Sequence, residues 1–207
     1  MLNEKKTETM ESRILHASEA EEDLNDADFT GESTENAKFA GIGFHQGHFT
    51  DCRIIGCTGR DLYWEDTVLE NCDFSNSMFA DCCFRRVKFL RCKLLGTNLP
   101  DCVFDSTEFS SCTCRWAGFS SCKLKHVAFT ECDLAESTFS ACSLKALTFR
   151  ECALQKADFL HTPLTGIDLT SSEIDGLVVS GPELHGAQVT MMQACGLSRY
   201  LGLIIKD

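Results

Sequence analysis

Fourteen cysteines and six histidines are the residues of this 207-residue chain with the most chemical potential. Two thiols could close a disulfide, several could hold a zinc ion, and one beside a histidine could act as a nucleophile. Spacing argues against all three. Cys82-Cys83 and Cys112-x-Cys114 are not C-x-x-C pairs, and no histidine completes a zinc pattern. His16, His45, His48, His126, His161 and His185 share no motif with a nucleophile, and no glycine-rich phosphate loop is present. No catalytic residue, metal ligand or cofactor-binding residue is expected, and so no enzyme. The cysteines instead recur by position: nine stand ten residues apart from Cys72 to Cys152.

That recurrence belongs to a shorter repeat. All fifteen phenylalanines occupy one register of five: Phe29, Phe39, Phe44, Phe49, Phe74, Phe79, Phe84, Phe89, Phe104, Phe109, Phe119, Phe129, Phe139, Phe149 and Phe159. Of the 34 register centres from Leu24 to Val189, 32 are apolar; the exceptions are Thr34 and Gly59, the latter read as a cheap flaw in the stack. Neither a helical period of 3.6 nor a strand period of two produces such a run, so the chain is a solenoid. The phenylalanines from Phe74 to Phe159 are its expected structural core.

The residue two before each centre is nearly always small, and eleven cysteines sit there, beginning with Cys52 and Cys57. Two inward residues spaced by two fit one extended segment; the following gap of three demands a corner. Cysteine at every second such position, and Phe alternating with Leu at the centres from 119 to 159, give a period of ten. Like then stacks on like only with an even number of faces. Two faces enclose too little and six leave a hollow, so four faces, twenty residues per coil, is the filled solution. Residues 22–191 supply about 8.5 coils and a rod ~41 Å long at ~4.8 Å per coil. Small buried cysteines in such ladders are packing residues, reduced in a reducing cytosol.

Net charge is -12, of which residues 1–26 carry -5. This disfavours direct binding to nucleic acid and suits a basic protein surface. Arg85, Arg86, Lys88, Arg91 and Lys93 form a basic band near mid-rod. Acidic bands flank it: Glu65, Asp66, Glu70, Asp73 and Asp81 before, Asp101, Asp105 and Glu108 after. No 18-residue apolar run exists, so no membrane span is expected. The N-terminus has no secretory apolar stretch, and the expected location is cytoplasmic.

Open ends of a β-solenoid are edge strands and need covers. Residues 1–21 are charged and irregular, a cap or a disordered tail, with disorder favoured for 1–10. Ile14 falls on the register. At the other end Thr190-x-x-Gln193 has the form of a capping box, predicting a helix from about 191 to 201 stopped by Gly202. An extended apolar run, Leu203 to Ile205, follows. Residues 192–207 are then a dimerisation unit. Met191, Met192, Cys195, Leu197, Tyr200, Leu201, Leu203 and Ile205 are more apolar than one short cap requires and form the candidate interface of a homodimer.

The pentads ADFTG at 27–31, CDFSN at 72–76, CDLAE at 132–136 and ADFLH at 157–161 resemble the A(D/N)Lxx pattern of pentapeptide repeat proteins. The resemblance spans about four-fifths of the chain and implies an all-β solenoid, a right-handed quadrilateral β-helix with a short C-terminal α-helix. FRRVKFLRCKLLGTNLPD and LHGAQVTMMQACGLSRYLGLII are similar to the Qnr quinolone-resistance proteins. That similarity implies a DNA-shaped rod, dimeric through its tail, that binds DNA gyrase or topoisomerase IV and protects it from quinolones. The unbroken register resembles the members without loops, so loop-dependent contacts do not carry over. The main rival is a generic interaction scaffold with another partner. Hexapeptide acyltransferases also form solenoids, but their period is six.

Overall fold

The structure, a computed structural model, describes residues 9–205. Its β-structure is parallel, with every pairing offset by twenty residues, from Leu24↔Phe44 to Asp168↔Gln188. The coils therefore form four faces. The first carries seven three-residue or shorter strands, from Leu24–Asn25 to Ser143–Lys145, and the second seven from Asp28–Thr30 to Thr148–Arg150. The third and fourth begin as sheets of two and three strands and continue as single bridges beyond Asp73 and Asn98. Those later coils turn more tightly: Ser77, Thr97 and Ala117 donate their N–H to Phe74, Leu94 and Cys114. The four faces are thus not equivalent, which a uniform pentad pattern does not reveal.

Corners fall two residues after the centre. This residue has a positive φ in nearly every pentad, including Asp66 (51°), Arg86 (53°) and Ala146 (53°). The left-handed conformation costs an L-residue roughly 1–2 kcal/mol, and Asp, Asn and Gly carry many of these corners for that reason.

Inside, the aromatic rings stack coil on coil. Phe89, Phe109 and Phe129 are successively 4.5 Å apart and within 12° of parallel. Phe119, Phe139 and Phe159 follow the same pattern, at 4.8 and 5.0 Å. The two columns meet edge to face, as for Phe129 and Phe139 at 5.9 Å and 83°. Every phenylalanine from Phe74 to Phe159 is buried.

The cysteines are free thiols, twelve of them buried; Cys83 is half-buried and Cys195 exposed. Their role is more specific than packing. Cys102, Cys122 and Cys142 donate to the carbonyls of Phe79, Leu99 and Phe119, one coil back, at 3.1, 3.0 and 2.8 Å. Ser77, Thr97 and Thr107 do the same to Ile54, Phe74 and Phe84. Most donors at this position bond a carbonyl one coil back; Val87, Ala117, Val127 and Ala157 fill it by packing alone. Burial pushes the Cys114 thiol well above its ordinary value, so it stays protonated and unreactive.

Both exceptions in the register are explained by neighbours. Thr34, buried on the first coil, donates through Oγ1 to Glu11 Oε2 at 3.0 Å. Gly59 is no cheap flaw: a Cβ there would lie 2.6 Å from both Leu62 Cδ1 and Phe79 Cδ1. Those two side chains already fill the vacated space.

The N-terminal segment is a cap rather than an irregular tail. Helix α1, Met10–Ala20, starts at Thr9, whose Oγ1 accepts from Ser12 N. It buries Met10, Ile14 and Ala17 against the first coil. Ile14 therefore falls on the pentad register by coincidence, being one of a helical stripe. The Met10 N–H donates to Glu32 Oε2 at 2.5 Å and Ser18 Oγ to Ala40 O at 2.8 Å. These bonds seal the edge that an open solenoid would expose. The expected disorder of 1–10 lies, for residues 1–8, outside the described residues.

Candidate partner-binding surface

The mid-rod basic band does not stand free. Its coil lies between the two acidic ones. Arg86 makes paired bonds of 2.6 and 2.7 Å to Asp66 and a third of 2.6 Å to Glu65. Arg91 reaches Glu70 and, at 3.0 Å, Asn71. Arg85 lies 3.5 Å from Glu65 and Lys88 3.4 Å from Glu108. Among the described residues, only Lys93 of the five makes no ion pair. Arg86 holds the Glu65 and Asp66 carboxyls below their usual range, and Lys125 does so for Asp105. Such exposed pairs add little stability; they neutralise the band and leave the unpaired acids to set the surface potential. His45 joins this row, with Asp23 at 3.2 Å and Glu65 at 3.5 Å.

The tail closes the last coil chiefly through Gln193 and Tyr200. Helix α2 spans Met191–Leu197, and a 3₁₀ turn, Ser198–Leu201, continues it to Gly202 (φ 68°). The expected single helix therefore tightens in its last turn. The capping box is present: Thr190 N–H donates to Gln193 Oε1 at 2.8 Å, and Gln193 N–H to Thr190 Oγ1 at 3.2 Å. The Gln193 amide also donates to the carbonyls of Leu169 (2.9 Å) and Ser172 (2.8 Å), two acceptors of the final edge. Tyr200 Oη donates to Leu177 O.

Of the tail residues singled out, Leu197 and Tyr200 pack against the rod. Met191 (83 % exposed), Met192 (80 %), Cys195, Leu203 and Ile205 face outward, as does Ile204 (87 %). The Leu201 side chain lies outside the described residues. Leu203–Ile205 form no strand. A groove of about 300 Å³ runs between Leu184, Ala187 and Val189 of the last coil and Leu197, Tyr200 and Leu203.

Glu183, buried in this last coil, was not legible as a structural residue. Its carboxylate accepts from Ser180 N (2.9 Å) and Oγ (2.8 Å), Gly181 N (3.1 Å) and His161 N (3.1 Å). Burial opposes ionisation, but backbone N–H groups and the Ser180 hydroxyl outweigh it and bring the pKa from 4.5 to about 2. A depressed folded-state pKa stabilises above the unfolded value. This contribution is full above pH 4.5 and disappears as pH falls toward 2. Glu183→Gln is expected to lower stability at pH 7 by about 1–3 kcal/mol and to flatten the acid limb between those values, in urea melts at stepped pH.

No helix among the described residues is long and apolar enough to cross a membrane, and no group of three or more potential ligands there could hold a metal ion.

The family model for the pentapeptide repeat region matches residues 62–139 and 117–179. No curated protein matches the chain. Among solved structures, full-length QnrB1, a plasmid-mediated fluoroquinolone resistance protein, is similar at 21 % identity and a TM-score of 0.54, over 87 % of this chain and 97 % of that one. HetL, a pentapeptide repeat protein involved in heterocyst differentiation regulation from the cyanobacterium Nostoc sp. strain PCC 7120, aligns at 12 % identity and a TM-score of 0.32, over 87 % and 94 %. A filled, four-faced coil of twenty residues and a family match from 62 to 179 lead to one assignment: this chain belongs to the pentapeptide repeat family.

Proposed function

We propose that this rod is a non-catalytic ligand of a type II topoisomerase, DNA gyrase or topoisomerase IV, and that it protects the enzyme from quinolones or modulates it. One observation carries the reading: a narrow β-helical rod, acidic overall, shares its fold with QnrB1 along nearly the whole of both chains. Because its basic coil is neutralised by its neighbours, the surplus acids remain to face a basic surface made for duplex DNA. The mechanism is competition for that surface by shape and charge.

In this reading the tail joins two copies. Met191, Met192 and Ile204 are apolar and exposed on one end of the molecule. Ile204→Asp is expected to convert a dimer into monomers in light scattering with the far-ultraviolet spectrum unchanged; a persistent dimer refutes the tail interface. The function is tested by gyrase supercoiling with ciprofloxacin, with and without the purified protein. Neither protection nor inhibition at micromolar protein would remove the topoisomerase reading, and a pull-down enriched in another partner would favour a scaffold role.

A further inference from the structure

The four faces differ in outward chemistry. The first, second and third all mix acids and bases. The fourth does so only in its first two coils, through Lys38 and Arg60. From Met78 to Ser180 its outward and corner positions read Met78, Ala80, Asp81, Asn98, Pro100, Asp101, Gly118, Ser120, Ser121, Thr138, Ser140, Ala141, Asp158, Leu160, His161, Val178 and Ser180, without a lysine or arginine. Asp81 is paired with Arg60 of the preceding coil. What remains is small, uncharged surface with Asp101 and Asp158 as its fixed charges.

The same face collects the exposed apolar side chains. Among the described residues of the coils, the large hydrophobic side chains that are exposed are Met78 (45 %), Val178 (39 %) and Trp116 (56 %). Met78 and Val178 stand in one outward column of the fourth face, and Trp116 is the corner leading into it. That corner is costly: the indole sits on a residue with φ 58°, where the cells above and below hold Glu136 and Gly96. The side chain is also held in place. Arg115 lies 5.4 Å over the indole ring and is itself fixed between Asp133 (3.7 Å) and Glu136 (3.5 Å). This tryptophan stands outside the buried core. An oriented Trp beside an Arg, next to a charge-depleted surface carrying a Met, has the composition of an interface centre.

We propose that the fourth face from Met78 to Ser180, with Trp116 as its anchor, is the surface by which the rod docks on its topoisomerase, and that the enzyme meets it with an apolar cleft rimmed by lysine or arginine. The inference rests on the topoisomerase reading and adds which face is used. The sign of the rim follows from the acids of the stretch from Met78 to Ser180, Asp101 and Asp158, and from the lack of any lysine or arginine there. The same sign disfavours a phosphate backbone or an anionic membrane as the occupant.

Trp116→Gly is the informative variant, because glycine takes the left-handed corner without strain and the fold is retained or strengthened. Its matched control is Ala146→Gly, at the diagonally opposite corner (φ 53°). Ser120→Lys and Ser120→Glu then test the sign of the partner's rim. Each protein is titrated into DNA gyrase and topoisomerase IV holoenzymes, reading the concentration for half-maximal protection or inhibition. Trp116→Gly is expected to raise that concentration at least tenfold with an unchanged or higher melting temperature. Ser120→Lys is expected to raise it severalfold, while Ser120→Glu and Ala146→Gly stay within twofold of wild type. An active wild type with Trp116→Gly and Ser120→Lys both within twofold overturns the face and leaves the topoisomerase reading standing. A wild type inert on both enzymes overturns the two together. Sedimentation showing wild-type oligomers that Trp116→Gly dissolves would assign this face to a second copy instead, and also overturns the proposal.

Discussion

Phe129→Asp is expected to leave no cooperatively folded rod. Phe129 is completely buried, stacked on Phe109 at 4.5 Å and Phe149 at 5.5 Å, with Phe119 and Phe139 edge-on at 5.9 Å. Losing the ring alone costs about 3–5 kcal/mol, as for other buried aromatic truncations. A carboxylate in its place has no donor among these rings, and burying it unpaired adds several kcal/mol more. The sum approaches the ~5–15 kcal/mol that a whole domain has to lose. The position matters as much as the chemistry. A solenoid is held by neighbouring coils, so a break in the middle separates two short stacks that each gain a new open edge. Urea melts followed by circular dichroism should lose the main transition. Phe129→Leu should cost only about 1–2 kcal/mol, since Leu124 and Leu134 already occupy centres of the same kind. A cooperative fold near wild-type stability for Phe129→Asp would mean that residue 129 does not point inward.

Ile14→Asp should produce a comparably large defect confined to one end. Ile14 is buried under α1, between Met10 and Ala17. A charge there undocks the helix, because release into water costs less than a buried, unpaired carboxylate. With α1 go Glu11 Oε2, the acceptor of Thr34 Oγ1, and Ser18 Oγ, the donor to Ala40 O. The first coil then frays, while coils several repeats away keep their neighbours. Hydrogen exchange should show loss of protection by two orders of magnitude or more in residues 24–45, with residues 104–159 close to wild type. The uncovered edge should also make the variant associate with concentration. Uniform loss of protection along the rod would show that the coils unfold as one unit and that α1 is not a local cap.

Much of this architecture is legible in residue order because a period of five has few solutions. An inward pair spaced by two and a corner after it leave only the number of faces open, and the ten-residue alternation of Cys and of Phe with Leu removes that freedom. The capping box at Thr190 was readable for the same reason: its bonds are local. Helix α1 was not, because its apolar stripe is three residues in a segment crowded with glutamates. Glu183 was not, because an acidic residue at an outward position reads as surface until the turn that folds over it is known.

Residue order alone dictated the repeat, the buried phenylalanines and the small ladder positions, since each depends on side-chain size and on neighbours within one pentad. Only the tertiary structure decided what lies one coil away. The twenty-residue offset places Arg86 on Asp66, the Cys122 thiol under Leu99 O and Gly59 beneath Phe79. It also puts Met78, Trp116 and Val178 along one charge-poor face, a hundred residues apart in the chain. The reason is that contacts between coils are set by how the backbone ladders align, and a linear pattern states that alignment only after the corners have closed.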